Sequence, residues 1–291
     1  MADLLDGYLS DGGAVLLGRP VVGLGTGRAL PVVRCADGTE VRAEVVVEAA
    51  GQYGPVRAAL PTGSFTQYDI RHGVRLLGVL ARTPPFAPHT VYGQHRAGFA
   101  GQMLRSAEVT RLYLEVAPGE CLEDWPEDRV WRELDVRLAL EPGALRRGPV
   151  LERSVVEMRT EVVEPMHHGR VALVGDAAHI VPPSGGKGMN LAMADAADLA
   201  AALARHFREG ATADPGEVLA AYSRRRLADV WQVQEFSHFM LRLQHGPPPG
   251  TPDAGYHEKL RRARLSRLRD DPAYARAFLE RYMGPELPPG L

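Results

Sequence analysis

Apolar positions recur at helical spacing over residues 2–10 (ADLLDGYLS), where Leu4, Leu5, Tyr8 and Leu9 share a stripe and Asp11-Gly12-Gly13 ends it. Strand-like pieces follow at Ala14–Leu17, Val21–Leu24, Leu30–Cys35 and Val41–Glu48, with Asp37-Gly38 as a hairpin turn between the last two. The continuous run Val45-Val46-Val47 predicts a strand buried on both faces. Residues 60–120 read as mostly β, with strands at Leu76–Ala81, Thr90–Tyr92 and Thr110–Val116 and the prolines Pro84, Pro85 and Pro88 confined to a loop. Residues 126–140 carry Val130, Leu134 and Leu138 on one helical stripe. After a loop at 141–148, residues 151–163 predict a strand pair, and Val171–Val174 another buried strand. Helices are predicted from about Asn190 to His206, over 216–243 and over 256–283, with a linker at 245–253 and a loose end, PELPPGL. The fold class is α+β, with helices concentrated toward the C-terminus.

The 291 residues, 45% hydrophobic and 24% charged, suit one large domain or two modest ones. A net charge of −2 gives no basic excess for nucleic acid. Two distant cysteines, Cys35 and Cys121, exclude a disulfide framework and a cysteine-built zinc site. His167, His168 and His179 lack a carboxylate or thiolate cluster, so no metal is expected. The arginines from Arg261 to Arg269 are interspersed with leucines and followed by Asp270-Asp271, which reads as a solvated helix face. No apolar run approaches the roughly 20 residues of a membrane helix, and the N-terminus lacks a signal-peptide pattern. The expectation is a cytoplasmic protein that binds neither nucleic acid nor membrane.

The stretch RVALVGDAAHIVPPSGGKGMNLAMADAADLA (170–200) carries the chemistry. A buried strand delivers Gly175-Asp176 to a sheet end, where glycine permits close backbone approach and aspartate offers a carboxylate to a ligand hydroxyl. Pro182-Pro183 stiffens the next turn, and Ser184-Gly185-Gly186 with Gly188 forms a loop of little side-chain bulk. The helix beyond it opens its free N–H groups toward whatever fills the loop, which favours negative charge.

This run resembles the second flavin-binding motif of the single-component flavoprotein aromatic hydroxylases, most of all their 4-hydroxybenzoate 3-monooxygenase branch. The resemblance extends over VVEPMHHGR (162–170), YSRRRLADVWQVQEFSHFM (222–240) and the pattern from Val91 to Tyr113. It implies FAD, with NADPH or NADH as co-substrate, and oxygen insertion ortho to the hydroxyl of a 4-hydroxybenzoate-like phenol. Gly175 and Asp176 would meet the ribityl chain. Pro183, Gly185, Gly186, Lys187, Gly188, Met189 and Asn190 would lie at the ring, the helix dipole stabilising charge on the reduced flavin. Tyr92 matches the tyrosine that shares the substrate's phenol proton, Tyr282 a second tyrosine that relays it, and the Pro183 carbonyl faces the substrate hydroxyl. Holding a phenolate near neutral pH is a task of pKa tuning. On the substrate side stand Arg105, Tyr113, Arg111 and Ser184; Arg105 offers a planar fork to the carboxylate. Arg159 matches an arginine linked to NADPH.

Three departures from the family pattern matter. Met103 stands where the family has a serine two residues before Arg105, and losing such a donor costs about 1.5–3 kcal/mol. In VVVEAAGQYGPVR (45–57), Gly51 and Arg57 keep the motif while Ala50 replaces its aspartate. The family's opening strand–glycine turn–helix unit has no counterpart. Gly23-Leu24-Gly25-Thr26-Gly27 is followed by a strand where a helix is needed. The expected segments are 1–60 (middle of the FAD-binding domain), 61–160 (substrate sheet), 161–205 (the Gly-Asp flavin segment) and 206–291 (C-terminal helices). Two functions stand against each other. One is the monooxygenase, acting on a small aromatic acid, as a homodimer by resemblance, with an N-terminal segment or partner chain supplying the glycine unit. The other is a truncated or degenerate remnant that binds a small aromatic acid or a partner chain without catalysis.

Overall fold

The computed structural model describes residues 2–26, 30–138, 140–141, 143–210, 214–247 and 250–283. Gly27 of the glycine-rich stretch and the PELPPGL end lie outside the described residues. Helices and strands mix as α+β, in two compact units. The first comprises residues 1–67, 163–179 and 192–228, the second 68–162, 180–191 and 229–291.

The first unit opens with helix α1 (Ala2–Ser10) and the antiparallel strands β1 (Val21–Thr26), β2 (Pro31–Cys35) and β3 (Glu40–Arg42). Asp37 Oδ1 accepts the Thr39 N–H at 2.9 Å, and Gly38 at φ +84° turns β2 into β3. Residues 14–17 form no strand: Leu16 and Leu17 are exposed, and this apolar run has no pairing neighbour. Strand β4 (Val46–Glu48) pairs in parallel with β11 (Val171–Leu173), which pairs with β10 (His167–His168). β11 is buried throughout, but Val47 of β4 is 43% exposed, so β4 is covered on one face only. Leu24, Val46, Val56, Leu60 and Val171 form this unit's core, with Val56 on the short helix α2 (Pro55–Ala58).

The second unit is built on a six-stranded sheet. Its strands are β5 (Thr66–Ala81), β6 (Val91–His95), β7 (Gly98–Leu104), β8 (Thr110–Val116), β9 (Val150–Glu164) and β12 (His179–Ile180), in the order β12-β9-β5-β8-β7-β6. β9 is one long strand where a pair was expected, because 151–163 holds no turn residue that could reverse it. Period-two alternation splits the sheet's faces. Leu77, Val79, Ala81, Ala100, Leu112 and Leu114 face Trp125 and helix α3 (Glu127–Leu138), which buries Val130, Trp131 and Leu134. The opposite face carries Val74, Leu76, Phe99 and Met158, with Tyr92 and Tyr113 packed against them.

Helices α4 (Gly188–Arg208) and α5 (Pro215–Gln244) each have residues in both units. The C-terminal helical stretch breaks into α6 (Ala254–Asp270) and α7 (Pro272–Met283), because proline cannot continue the α6 ladder. Four of the five α6 arginines pair locally: Arg261 and Arg262 with Glu258, Arg267 with Asp271, Arg269 with Asp270. Among the described residues no helix is long and apolar enough to cross a membrane, and no group of three metal-ligating side chains gathers.

Candidate flavin and phenol sites

In the first unit, β11 ends at Leu173, and after Val174 Gly175 turns the chain at φ +57°. A Cβ at Gly175 would stand 3.0 Å from the Ala192 Cβ, so the turn needs glycine for its backbone angle and for its closeness to α4. Asp176 projects exposed from this turn, and its carboxylate has no hydrogen bond or ion pair among the described residues.

The turn hangs from a residue that sequence reading missed. Asp195 of α4 is fully buried; its Oδ2 accepts the Gly175 N–H at 3.0 Å and His179 Nε2 at 2.6 Å, and its Oδ1 accepts Arg226 Nε at 2.8 Å. Burial alone would push its carboxyl pKa up. The His179 and Arg226 bonds, with the Gly175 amide, outweigh burial and hold it below the usual aspartate value. The signal was available: Leu191, Asp195 and Leu199 recur every four residues on one buried stripe of α4, and a carboxylate on an apolar stripe implies a buried partner.

Arg57 braces the same turn. Its Nη1 donates to Ala177 O and its Nη2 to Gln52 O, each at 2.8 Å. Its backbone N–H donates to Glu48 Oε2 at 2.7 Å, and burial raises the Glu48 pKa. Gly51, at φ +76°, and Ala50 lie in the loop that Arg57 closes.

In the second unit, Pro183–Gly185 make one tight turn and Gly186 leaves it at φ +64° before α4 begins at Gly188. Nothing stands within 4 Å of where a Gly186 Cβ would be. Pro183, Gly186, Met189 and Asn190 are exposed, whereas Ser184 and Gly185 are buried beneath them. The buried part is held by α5, where Gln244 Nε2 donates to Ser184 O at 3.2 Å and Gln234 Nε2 to Ile180 O at 2.8 Å. The Ser184 and Ser237 hydroxyls are buried with no partner among the described residues. Lys187 donates to the Tyr282 carbonyl and lies 5.8 Å from the ring centres of Phe236 and Tyr282. Burial lowers its pKa.

The phenol side of this unit is ordered by sheet register. Tyr92 pairs with Gly101, Gly101 with Tyr113, and Tyr113 with Gly78, a row of alternating tyrosine and glycine across four strands. A Cβ at Gly78 would meet Tyr113 Cε1, Arg111 Nη1 and Ser154 Oγ, and one at Gly101 would meet the Phe99 ring at 2.9 Å. Tyr92 Oη and Tyr282 Oη lie 2.8 Å apart. Burial, and then the Tyr282 hydroxyl, push the Tyr92 pKa well up, so its phenol stays protonated. One step along the same face, Met103 pairs with Arg111, whose Nη2 is 3.6 Å from Glu152 Oε2. Arg105 follows at the β7–β8 turn, exposed and with no side-chain partner among the described residues. The structure thus brings Tyr92, Tyr282, Tyr113, Arg111 and Lys187 into this one unit. Arg159 is engaged with Asp69 at 3.0 Å and with Glu161.

The residues present fit FAD on these observations. Asp176 is an unpartnered carboxylate suited to ribityl hydroxyls, and the loop from Pro183 to Asn190 pairs open glycine surface with a helix N-terminus.

Comparison with known proteins agrees. The profile of the FAD binding domain family matches residues 28–237. A p-hydroxybenzoate hydroxylase of Acinetobacter baylyi is 34% identical over 246 residues, 84% of this chain and 59% of the relative. An aklavinone 12-hydroxylase of Streptomyces purpurascens is 30% identical over 217 residues, 66% of this chain and 40% of the relative. In fold, the chain is similar to the anhydrotetracycline hydroxylase of Streptomyces rimosus, with a TM-score of 0.72 at 23% identity, covering 96% of this chain and 55% of that one. The chain therefore spans 40–59% of the length of these relatives.

Proposed function

The chain belongs to the FAD binding domain family, and on that premise we propose that it serves an FAD-dependent aromatic monooxygenase, hydroxylating a 4-hydroxybenzoate-like phenol ortho to its hydroxyl with NADPH or NADH and O2. The observation that carries this reading is the 2.8 Å contact between Tyr92 Oη and Tyr282 Oη.

Bound FAD supplies the redox and oxygen-activating chemistry. Each unit by itself carries residues suited to it: Asp176 in the first, and the Pro183–Asn190 loop in the second. The protein's own contribution is to manage the phenol proton. A tyrosine hydroxyl donates and accepts at once. Tyr92 would accept the substrate's phenol proton while giving its own to Tyr282, which would pass its own hydroxyl proton on to solvent, so neither tyrosine ionises. That suits a residue whose surroundings oppose its phenolate. The substrate, left as phenolate, is electron-rich at the ortho carbon. Arg105 would offer its fork to the carboxylate, and Val74, Leu76 and Phe99 supply an apolar bed for the ring.

The test is the visible spectrum of the purified chain with and without added FAD, followed by hydroxylation assays with each nicotinamide. Stoichiometric FAD and ortho-hydroxylated product are the expected results. A colourless protein that ignores FAD would overturn the enzyme reading for this chain and favour the non-catalytic remnant.

A further inference from the structure

The second unit holds a cleft of about 520 Å³ lined from β5, β9, α5 and α6 by residues that the proposed reaction does not use. Its size is that of a small-molecule site. The walls are aromatic: Tyr68 and Trp231 meet edge to face at 5.4 Å, both near 40% exposed, and Phe239 lines the cleft with them.

Two arginines supply the charge. Arg242 and Arg264 line the cleft, and neither makes an ion pair or hydrogen bond among the described residues. Arg264 sets itself apart from the other α6 arginines with carboxylate partners; its guanidinium instead stands 5.9 Å from the Phe239 ring centre. The one carboxylate at the cleft, Glu235, is already paired with Arg281. Thr160 Oγ1 sits between His72 Nε2 at 2.9 Å and His238 Nε2 at 3.2 Å. Burial keeps both rings below the ordinary histidine pKa, His72 at about 4, so this wall is neutral at pH 7 and the guanidiniums set the field.

We propose that this cleft is a second binding site, for a small aromatic carboxylate. The ring would lie against Tyr68, Trp231 and Phe239, and the carboxylate would take a guanidinium fork. A bare inorganic anion would leave the aromatic walls unused, and a neutral aromatic would leave two unpaired cations.

Trp231 makes the site observable, since Trp125 and Trp131 are buried in the core beyond the opposite sheet face. Benzoate is titrated into the purified chain while tryptophan fluorescence is read. The expected result is saturable quenching that vanishes in W231F, persists in R105A and Y113A, and weakens at least about tenfold in R242A/R264A, as for lost charge-assisted hydrogen bonds. Equilibrium dialysis of labelled benzoate should show the same loss in R242A/R264A, and R242Q/R264Q substitutes if the alanine pair does not fold. Cyclohexanecarboxylate, with the charge and no aromatic ring, should bind at least several-fold more weakly. Absence of quenching, equal affinity in the arginine pair variant, or phosphate competing as well as benzoate would overturn the assignment. None of these readouts depends on bound FAD.

Discussion

Replacing Asp195 with asparagine tests whether a buried charge holds the Gly175-Asp176 turn. The side chain is fully buried and accepts from Gly175, His179 and Arg226, and the Arg226 side chain is only 8% exposed. Removing one member of a buried ion pair costs about 3–5 kcal/mol. Asparagine keeps one carbonyl acceptor, worth about 1 kcal/mol, so the expected loss is about 3 kcal/mol. That is a large share of a total stability of about 5–15 kcal/mol. It corresponds to a melting temperature lower by about 6–12 °C. The pH dependence has a definite sign. The folded pKa of Asp195 is lowered, so its contribution is complete above the unfolded value of about 3.9 and is lost as pH falls through the lower folded value. Urea unfolding followed by circular dichroism at pH 7, 5 and 3 should show a gap between wild type and D195N that is full at pH 7 and 5 and narrows at pH 3. FAD affinity should fall with it, because the turn loses its anchor. A variant within about 0.5 kcal/mol of wild type at pH 7 would refute the reasoning. So would a gap that stays constant through full protonation.

Arg57→Met removes two hydrogen bonds from a guanidinium to backbone carbonyls and should cost about 2–3 kcal/mol in chemical unfolding; a loss near zero would mean the brace is idle. Gly54→Ala places a Cβ 2.1 Å from Glu48 Oε1 and should destabilise by about 1–3 kcal/mol, with Glu48→Ala recovering part of it in the double variant. Simple additivity of the two changes would argue against the clash. Tyr92→Phe should lower hydroxylation about 100-fold or more with FAD content unchanged, and unaltered turnover would remove Tyr92 from the proton path. Met103→Ser should tighten 4-hydroxybenzoate binding about tenfold, through a new donor on the face that carries Arg111 and Arg105. A titration that superimposes on wild type would show that Met103 does not limit affinity.

What the sequence made legible follows the range of each interaction. The turn at Gly175-Asp176, the loop from Pro183 to Gly188 and the helices α4 and α5 are written in contiguous residues, and local backbone chemistry suffices to read them. β7 was missed because GFAGQML has two glycines and weak alternation. Those features make sense only beside the neighbours: Gly101 pairs with both Tyr92 and Tyr113, and a Cβ there would stand 2.9 Å from the Phe99 ring. Conversely, the apolar run at 14–17 has the composition of a strand but no partner to pair with, so period alone misleads there. Val47 is the same case at a single residue, because an apolar run does not say which face will be covered. Asp195 differs from all of these. Its partners lie 16, 20 and 31 residues away and could not be named in advance. Its burial could have been, since it stands four residues from Leu191 and four from Leu199. A lone carboxylate on an apolar helix stripe requires compensation from elsewhere in the chain. In this protein the compensation falls on the backbone of the turn that presents Asp176, which is why the more informative aspartate of the pair is the buried one.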